Sequence, residues 1–535
     1  MAWQDSADVI VIGSGICGAL VAERLAKQGR SVLILEAGPR IDRGRITANF
    51  RNSPRKGDWV APYHPGTAWA PHPTYHPSDN GYLVQAGPYP YPAEYLRVVG
   101  GTTWHWAAHA WRLLPNDLRL RTLYGVGKDW PIAYEDLEPY YYEAEVKMGV
   151  SGAPNTGSPR TAPFPMEPVA EPWAMRRVRE RLAPAGYPVV TNTTARNSRH
   201  YDGRPACCGN NNCQPICPID AQYTGGIAVQ AAEKAGARVL PNAVVYRIEH
   251  TDSGRIAAVH YFDPERRTHR VTGEHFLLAA NGIESPKLLL MSASDRFPDG
   301  LANRSGMVGR NLMDHPSSSL TFEADEDLWL GRGPQSPSSI NTLRDGAFRA
   351  EAAAFRLDFT NMSQVRAVTE ALIEEGVYGR ELERQLRHRA ARQMSVKSVL
   401  ELLPDPDNRV TLSAQKDALG LPKPRLHYRL DPYLHRGAAL GKTHFARIAE
   451  LMGGTNLRYT PEGQYANNQH ITGTLSMGRD PGDSVVDAFG RAHDHENLFI
   501  AGTGVMPTAA TVNSTLTAVA LALRTAEHLH ATSTT

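Results

Sequence analysis

The sequence is short of cysteine, of net charge and of long apolar runs. Only five of its 535 residues are cysteine, too few and too unevenly spread for the disulfide framework of a small secreted domain. Lysine and arginine number 57 against 55 aspartate and glutamate, which leaves no electrostatic case for a nucleic-acid partner. No apolar run reaches the ~20 residues that a membrane-spanning helix needs. The opening MAWQDSADVIVIG has neither a basic leader nor a cleavage site. Its apolar stretch runs straight into a glycine motif and reads as a strand, so a chain with no signal peptide of its own is expected. Internal repeats and low-complexity tracts are also missing. With 41% hydrophobic and 21% charged residues, the composition is that of a globular protein long enough for two or more compact units.

What is there begins with a dinucleotide fingerprint. Residues 7–12 form an apolar run, Gly13-Ser-Gly15-Ile-Cys-Gly18 follows, an amphipathic stretch extends to Gln28, and SVLILE (31–36) is a second apolar strand. Gly13 permits the tight turn, Gly15 lets backbone approach a pyrophosphate, and Gly18 lets helix and strand pack closely. The helix N-terminus then offers free N–H groups to the phosphates. Glu36 ends the second strand, where a carboxylate accepts bonds from ribose hydroxyls and disfavours a 2′-phosphate. The motif does not separate FAD from NAD, and its bland alternative is a structural glycine turn.

Further along, residues 40–95 are rich in proline and tyrosine and read as a lid-like surface excursion. A helix is expected within 129–147, mostly irregular chain over 150–226, a helix over 227–237, strand segments over 238–248, a meander over 255–281 and a helix over 283–293. The texture changes from about 317 to 465, where strand-like segments (317–323, 395–403) alternate with charged helices (364–393, 433–452). The interspersed charges of 378–393 suit a solvated helix face. A buried strand at 497–501, a glycine pair and a helix at 513–531 close the chain. The expected division is 1–316 for the nucleotide domain, 317–465 for an inserted domain and 466–535 for the return to the first.

The cysteines are the sharpest feature. Cys207, Cys208, Cys213 and Cys217 crowd into eleven residues, with Pro218 after the last. Several thiolates on one tight loop suit an iron–sulfur cluster; the alternative is a structural zinc site. Cys17, inside the glycine loop, reads as a small packing residue.

Eight motifs give the chain a family likeness: GSGICGALVAERL (13–25), VGGTTWHWAAHAWRLLPNDL (99–118), DWPIAYEDLEPYY (129–141), ARNSRHYDGRPACCGNNNCQPICPI (195–219), AANGIESPKLLLMSA (279–293), VGRNLMDHP (308–316), HITGTLSMG (470–478) and TVNSTLTAVALALR (511–524). The chain resembles the glucose–methanol–choline (GMC) oxidoreductases. Within them it is most similar to the catalytic large subunits of bacterial FAD-dependent sugar dehydrogenases. The resemblance implies an α/β fold, with a Rossmann-like FAD-binding domain and an inserted α+β substrate-binding domain. It implies FAD, with Gly100 and Gly101 against the isoalloxazine, a covalent histidyl link at His105, and Trp106 beside it. Val245 is placed near the adenine, and Gly502, in the late glycine pair, joins the cofactor-binding positions.

The same resemblance names His470 as general base and Asn513 as the donor that orients the substrate oxygen. A neutral imidazole suits the base role, and asparagine cannot take the proton itself. Asn513 reads otherwise as an N-cap, and His315 as structural. In similar enzymes the first, third and fourth cysteines of the motif hold a 3Fe-4S cluster, which assigns Cys207, Cys213 and Cys217. The second is tied there to a small chaperone-like subunit, a role for Cys208. A cytochrome c subunit as electron acceptor and membrane attachment, and a periplasmic location reached with a partner's signal, follow from the same likeness. The expected activity is oxidation of a sugar, sugar acid or polyol, of the fructose or glucose type, with residues 320–470 setting the choice. The rival readings are a GMC oxidase that reduces oxygen, and a non-catalytic flavin/iron–sulfur carrier.

Overall fold

A computed structural model describes residues 6–53, 61–63, 81–154 and 156–532. Residues 54–60 and 64–80, a large part of the expected excursion, lie outside the described residues.

Two sheets organise the molecule. In the first, Arg238–Leu240, Val32–Leu35, Ser6–Ile12 and Thr268–Leu278 lie side by side and parallel. Leu498–Ile500 adds in parallel to Thr268–Leu278. Parallel strands covered on both faces read as unbroken apolar runs, and VLIL at 32–35 is buried at every position. Helices Ile16–Lys27, Gly225–Lys234 and Thr515–Thr532 supply cover, the first packing on both others. An antiparallel meander, Val244–His250, Ile256–Phe262 and Thr268–Leu278, completes this sheet.

The second sheet is antiparallel and six-stranded, in the order Thr455–Tyr459, Ser317–Glu323, Gln393–Leu400, Phe355–Phe359, Ser338–Ile340, Val189–Thr191. Strand side chains alternate between faces. Phe355, Leu357 and Phe359 join a core with Phe445 and Ile448 of helix Pro432–Leu451. Arg356 and Asp358 therefore occupy the other face, yet all five residues of FRLDF are buried. Something must cover two charges there, and the first domain does.

The 150–226 stretch is mostly irregular, as expected, with helix Trp173–Leu182 and the edge strand Val189–Thr191 set into it. The sequence reading needs one correction. The end of the supposed surface excursion is interior: Tyr82, Tyr91 and Tyr95 are buried in the second core. Aperiodic Tyr/Pro-rich chain looks like a loop, but a tyrosine buries well once its hydroxyl finds a partner. Tyr82 and Tyr95 both donate to Glu284, and Arg97 pairs with the same carboxylate at 2.6 Å.

One buried ion group ties the sheets' surroundings together. The wholly buried Arg349 lies 2.9 Å from Asp117 and 2.7 Å from Glu401, both also buried, and 3.3 Å from Asp345.

Candidate active site

The glycine loop has the geometry its sequence promised. Gly13 has φ +101°, and a Cβ there would lie 2.6 Å from the Ala279 carbonyl oxygen, so only glycine fits. A Cβ on Gly18 would lie 2.2 Å from the Gly13 carbonyl oxygen: the helix rests directly on the turn. Gly15 faces open space because it borders a cavity of about 130 Å³, lined also by Gly13, Glu36, Gly101, Thr102 and Val245. The helix that starts at Ile16 has no side-chain cap, which leaves its first N–H groups for an anion. Open glycine backbone, uncapped helix and long cavity fit the pyrophosphate and flanks of FAD. A surface hollow lined by Arg255, Asp487 and Glu496 shares no residue with it.

Glu36 sits at the strand end, but its oxygens already have partners. Oε2 accepts from the Ser14 amide at 3.0 Å and the Ser14 hydroxyl at 2.6 Å, and Oε1 from the Gly38 amide at 2.9 Å. Burial pushes its carboxyl up, against the pull of the Ser14 bonds. The Ser14 hydroxyl accepts from the Gly100 amide at 3.0 Å, which joins the glycine loop to the flavin segment.

In that segment Gly100 and Gly101 have φ +94° and +63° and lead into a short 3₁₀ turn, Gly101–Trp104, that ends at His105. The His105 ring is buried and edge-on to Tyr63, 6.0 Å between centroids. Burial lowers it to about 4, so the ring is neutral, and its Nδ1 has no hydrogen-bond partner among the described residues. An unused lone pair on a neutral imidazole fits a nucleophilic link to a cofactor carbon. Trp106 donates its indole N–H to the Tyr223 carbonyl at 2.8 Å.

The cysteine loop touches this segment. The Gln214 amide donates to the His105 carbonyl at 3.0 Å, and Gln222 to the Trp106 carbonyl at 2.7 Å. All four thiols are free; Cys213 and Cys217 are buried, Cys207 half-buried and Cys208 exposed. Burial, then the neighbouring Cys213 and Cys217, push the Cys207 thiol up. Three thiols are thus covered to differing degrees and one is exposed. Cys17 is buried, its thiol pushed up to about 12, which makes it inert packing.

His470 and Asn513 meet: the Asn513 amide nitrogen lies 2.8 Å from His470 Nε2. The segments that carry His315 and His470 are locked by an antiparallel bridge between Met313 and Thr472. At Gly473, φ +88°, a Cβ would lie 2.1 Å from the Asn311 carbonyl oxygen. Ile471 abuts Gly282, at the start of helix Asn281–Met291, whose Asn281 lines the dinucleotide cavity. Gly502 is not part of the cavity lining; it opens the turn Thr503–Val505, whose Gly504 carbonyl accepts from the Leu475 amide at 2.8 Å.

Sequence reasoning missed most of the surroundings. His315, expected to be structural, lies Nδ1 to Nδ1 against His470 at 2.8 Å. Asp314 accepts from the backbone N–H groups of His315, His470 and Gln469 at 2.6, 2.9 and 3.0 Å. These three side chains are the only trio of potential ligands within 4.8 Å of one another among the described residues, but their atoms are spent on these bonds, so no metal site is read here. Arg356 grips Asp358 with two bonds, 2.6 and 2.8 Å, and donates to the Asn513 carbonyl oxygen at 3.2 Å. Register sets Ser339, Asp358, Lys397 and Ser319 in one row across four strands. His109 lies near Asp358, lowered to about 3 by burial. The signal for these residues was the placement of charges and serines inside otherwise apolar strands, as in FRLDF and SVKSVL.

Comparison with known proteins agrees with the geometry. The GMC oxidoreductase patterns match residues 120–317 and 404–522, and an NAD(P)-binding Rossmann-like domain matches 11–77. The chain is 47% identical over 534 residues to the fructose dehydrogenase large subunit of Gluconobacter japonicus, covering 98% of this chain and 97% of that one. It is 31% identical to the 6'''-hydroxyparomomycin C oxidase of Streptomyces lividus, covering 98% and 92%. Among solved structures, the pyridoxine 4-oxidase of Mesorbium loti superposes with a TM-score of 0.65 at 19% identity, covering 98% and 99%. Formate oxidase of Aspergillus oryzae superposes at 0.67 and 15% identity, covering 99% of each chain, and both share the fold. The chain belongs to the GMC oxidoreductase family, FAD-dependent enzymes that act on CH–OH groups.

Proposed function

We propose that this chain oxidises a hydroxyl of a neutral sugar or polyol, D-fructose first, with His470 as general base, Asn513 as orienting donor, and a 3Fe-4S cluster on Cys207, Cys213 and Cys217. The observation that carries it is the His470–Asn513 contact under a polar roof. FAD, when bound, supplies the hydride acceptor. The substrate hydroxyl takes the Nε2 lone pair that Asn513 otherwise holds, and the Asn513 amide then donates to the substrate oxygen. Its own carbonyl stays on Arg356, so the amide cannot turn over. Ser339, Asp358, Lys397 and Ser319 form a polar row whose side chains are bonded to Asn341, Arg356, Asn468 and Thr460, surroundings more polar than an alkyl chain needs. The 47% identity to a fructose dehydrogenase large subunit supports the choice of sugar.

A dye-linked assay with D-fructose, D-glucose, D-gluconate, D-sorbitol and L-sorbose tests this. D-Fructose is expected to be turned over fastest; D-gluconate alone as substrate overturns the neutral-sugar reading. Peroxide formed as fast as dye is reduced would favour an oxidase.

The base should work in mild acid. Burial, then the neighbouring His315, Arg356 and Lys397, hold His470 well below its ordinary value. A base acts when neutral, so kcat/KM should stay flat as pH falls through 6.5 and decline only as the depressed pKa is crossed. A steady-state pH profile with fructose checks this; a half-maximal point at or above 6.5 would contradict it.

The cluster would supply one-electron acceptance beside a two-electron cofactor. Iron analysis with EPR is the check: Cys213→Ser is expected to lose the iron and the EPR signal. Iron-free, zinc-bearing wild-type protein sinks this part.

His105 is proposed to carry the flavin covalently. After acid precipitation, flavin should stay with the wild-type pellet and pass into the supernatant for His105→Ala. Cys208, exposed beside the cluster loop, suits attachment of a small subunit, and a cytochrome c subunit suits the electron exit. A periplasmic site of action, reached with such partners, completes the reading.

A further inference from the structure

The hydrogen bonds around His470 have a direction that can be read without seeing a proton. The Nε2 of His315 lies 3.0 Å from the Ala509 carbonyl oxygen and 2.9 Å from that of Ala510. Carbonyls only accept, so this nitrogen carries the hydrogen. In a neutral ring the other nitrogen is then bare, and His315 Nδ1 accepts from His470 Nδ1 across 2.8 Å. His470 must therefore carry its hydrogen on Nδ1 and keep Nε2 bare. The far end gives the same answer. Arg356 can only donate, which turns the Asn513 carbonyl toward it and the amide N–H toward His470 Nε2. Two independent anchors, a pair of backbone carbonyls and a guanidinium, specify one tautomer.

We propose that His315 is a positioning residue that fixes the bare nitrogen of His470 and shares the proton His470 takes from the substrate. The proposal rests on His470 being the base. The balance is as follows. The substrate O–H bond breaks and its proton goes to His470 Nε2, while the hydride pair leaves with the C–H bond to FAD in the established reaction. The proton on His470 Nδ1 shifts along its bond to the lone pair of His315 Nδ1. His315 then holds both hydrogens, its Nε2–H still on the two carbonyls, so the charge stops there. Asp314 supplies the fixed counter-charge: its Oδ1 lies 4.0 Å from His470 Nδ1 and accepts backbone N–H bonds from both histidine residues. Arg356 and Lys397 lie near the pair and oppose the positive charge, with His109, neutral, also nearby, and Asp358 is paired with Arg356. A second imidazole spreads a charge that one ring would carry alone in a buried site.

The test compares His315→Asn with His315→Leu in the flavin-loaded protein. Asparagine can place a carbonyl oxygen where Nδ1 was, which keeps the acceptor but cannot take a proton. Leucine keeps bulk and removes the acceptor. Leucine should cost about 10²-fold or more in kcat, as expected when a catalytic imidazole loses its orienting partner, with KM for fructose little changed. Asparagine should recover at least a tenth of the wild-type rate and move the acid limb of the pH profile. A slowly exchanging downfield imidazole N–H resonance should be present in wild type and His315→Asn and missing from His315→Leu. Flavin absorbance reports whether each variant has folded and loaded. Equal losses in both variants with the wild-type pH profile and resonance kept, or a wild-type rate in His315→Leu, would overturn the proposal. His470→Ala separates the two readings: if it is inactive while His315→Leu is normal, only the role of His315 fails.

Discussion

Replacing His470 with alanine should lower kcat for sugar oxidation by roughly 10²–10⁴-fold and leave the flavin spectrum intact. The geometry explains the size. His470 Nε2 is the bare nitrogen of a neutral ring, and Asn513 beside it has no proton-accepting capacity near neutral pH. Removal leaves water as base in a site where His470 is only 13% exposed. The reductive half-reaction, followed at the flavin by stopped flow, is the direct measurement. A loss below tenfold would mean that another group takes the proton, and His109, with an unpartnered Nδ1, would be the first to examine. The loss should appear in kcat more than in KM, because Asn513 and the Arg356 that holds it stay in place.

Arg349→Met should destabilise the protein by about 3–5 kcal/mol, the cost of breaking a buried ion group from one side. Arg349, Asp117 and Glu401 have no exposed side-chain surface. Methionine removes the only cation within 4 Å of the two carboxylates among the described residues and cannot hydrogen-bond to them. Some support remains, since Glu401 also accepts from the Tyr433 hydroxyl at 3.1 Å and Asp117 from the Leu114 amide at 2.8 Å. The deficit should shrink in acid: the orphaned carboxyls of the variant have raised pKa values, so protonation relieves them as pH falls. Denaturant midpoints at two pH values measure both effects. Adding Asp117→Asn and Glu401→Gln should restore part of the loss; no loss in the single variant would show that the three charges are not coupled.

The parts of this protein legible in the sequence are those whose signals are local. The nucleotide half could be read because an apolar run, three glycines and a terminal acid occur within residues 7–36, and their geometry depends on near neighbours. The thiol loop could be read for the same reason. The proposed catalytic pair was different: among 20 histidines, His470 was singled out only by family likeness. The structure brings it against Asn513. Arg356, Asp358, Lys397 and His315 could not be assembled from the sequence. They lie on segments far apart in the chain, and only strand register and the Met313–Thr472 bridge bring them together. The misread stretch was the described end of the 40–95 excursion, residues 81–95, where tyrosines without periodicity suggested solvent and Tyr82 and Tyr95 in fact bond Glu284.

The two glutamine side chains between the thiol loop and the histidine segment have a bearing on biogenesis. Gln214 and Gln222 clip the carbonyls of His105 and Trp106 from inside the loop that carries Cys213 and Cys217. In the proposed holoenzyme, a chain without its cluster must hold this loop by protein contacts alone, and any slack passes to the His105 segment. Filling of the two proposed centres would then be mechanically linked, the first to be filled shaping the pocket of the second.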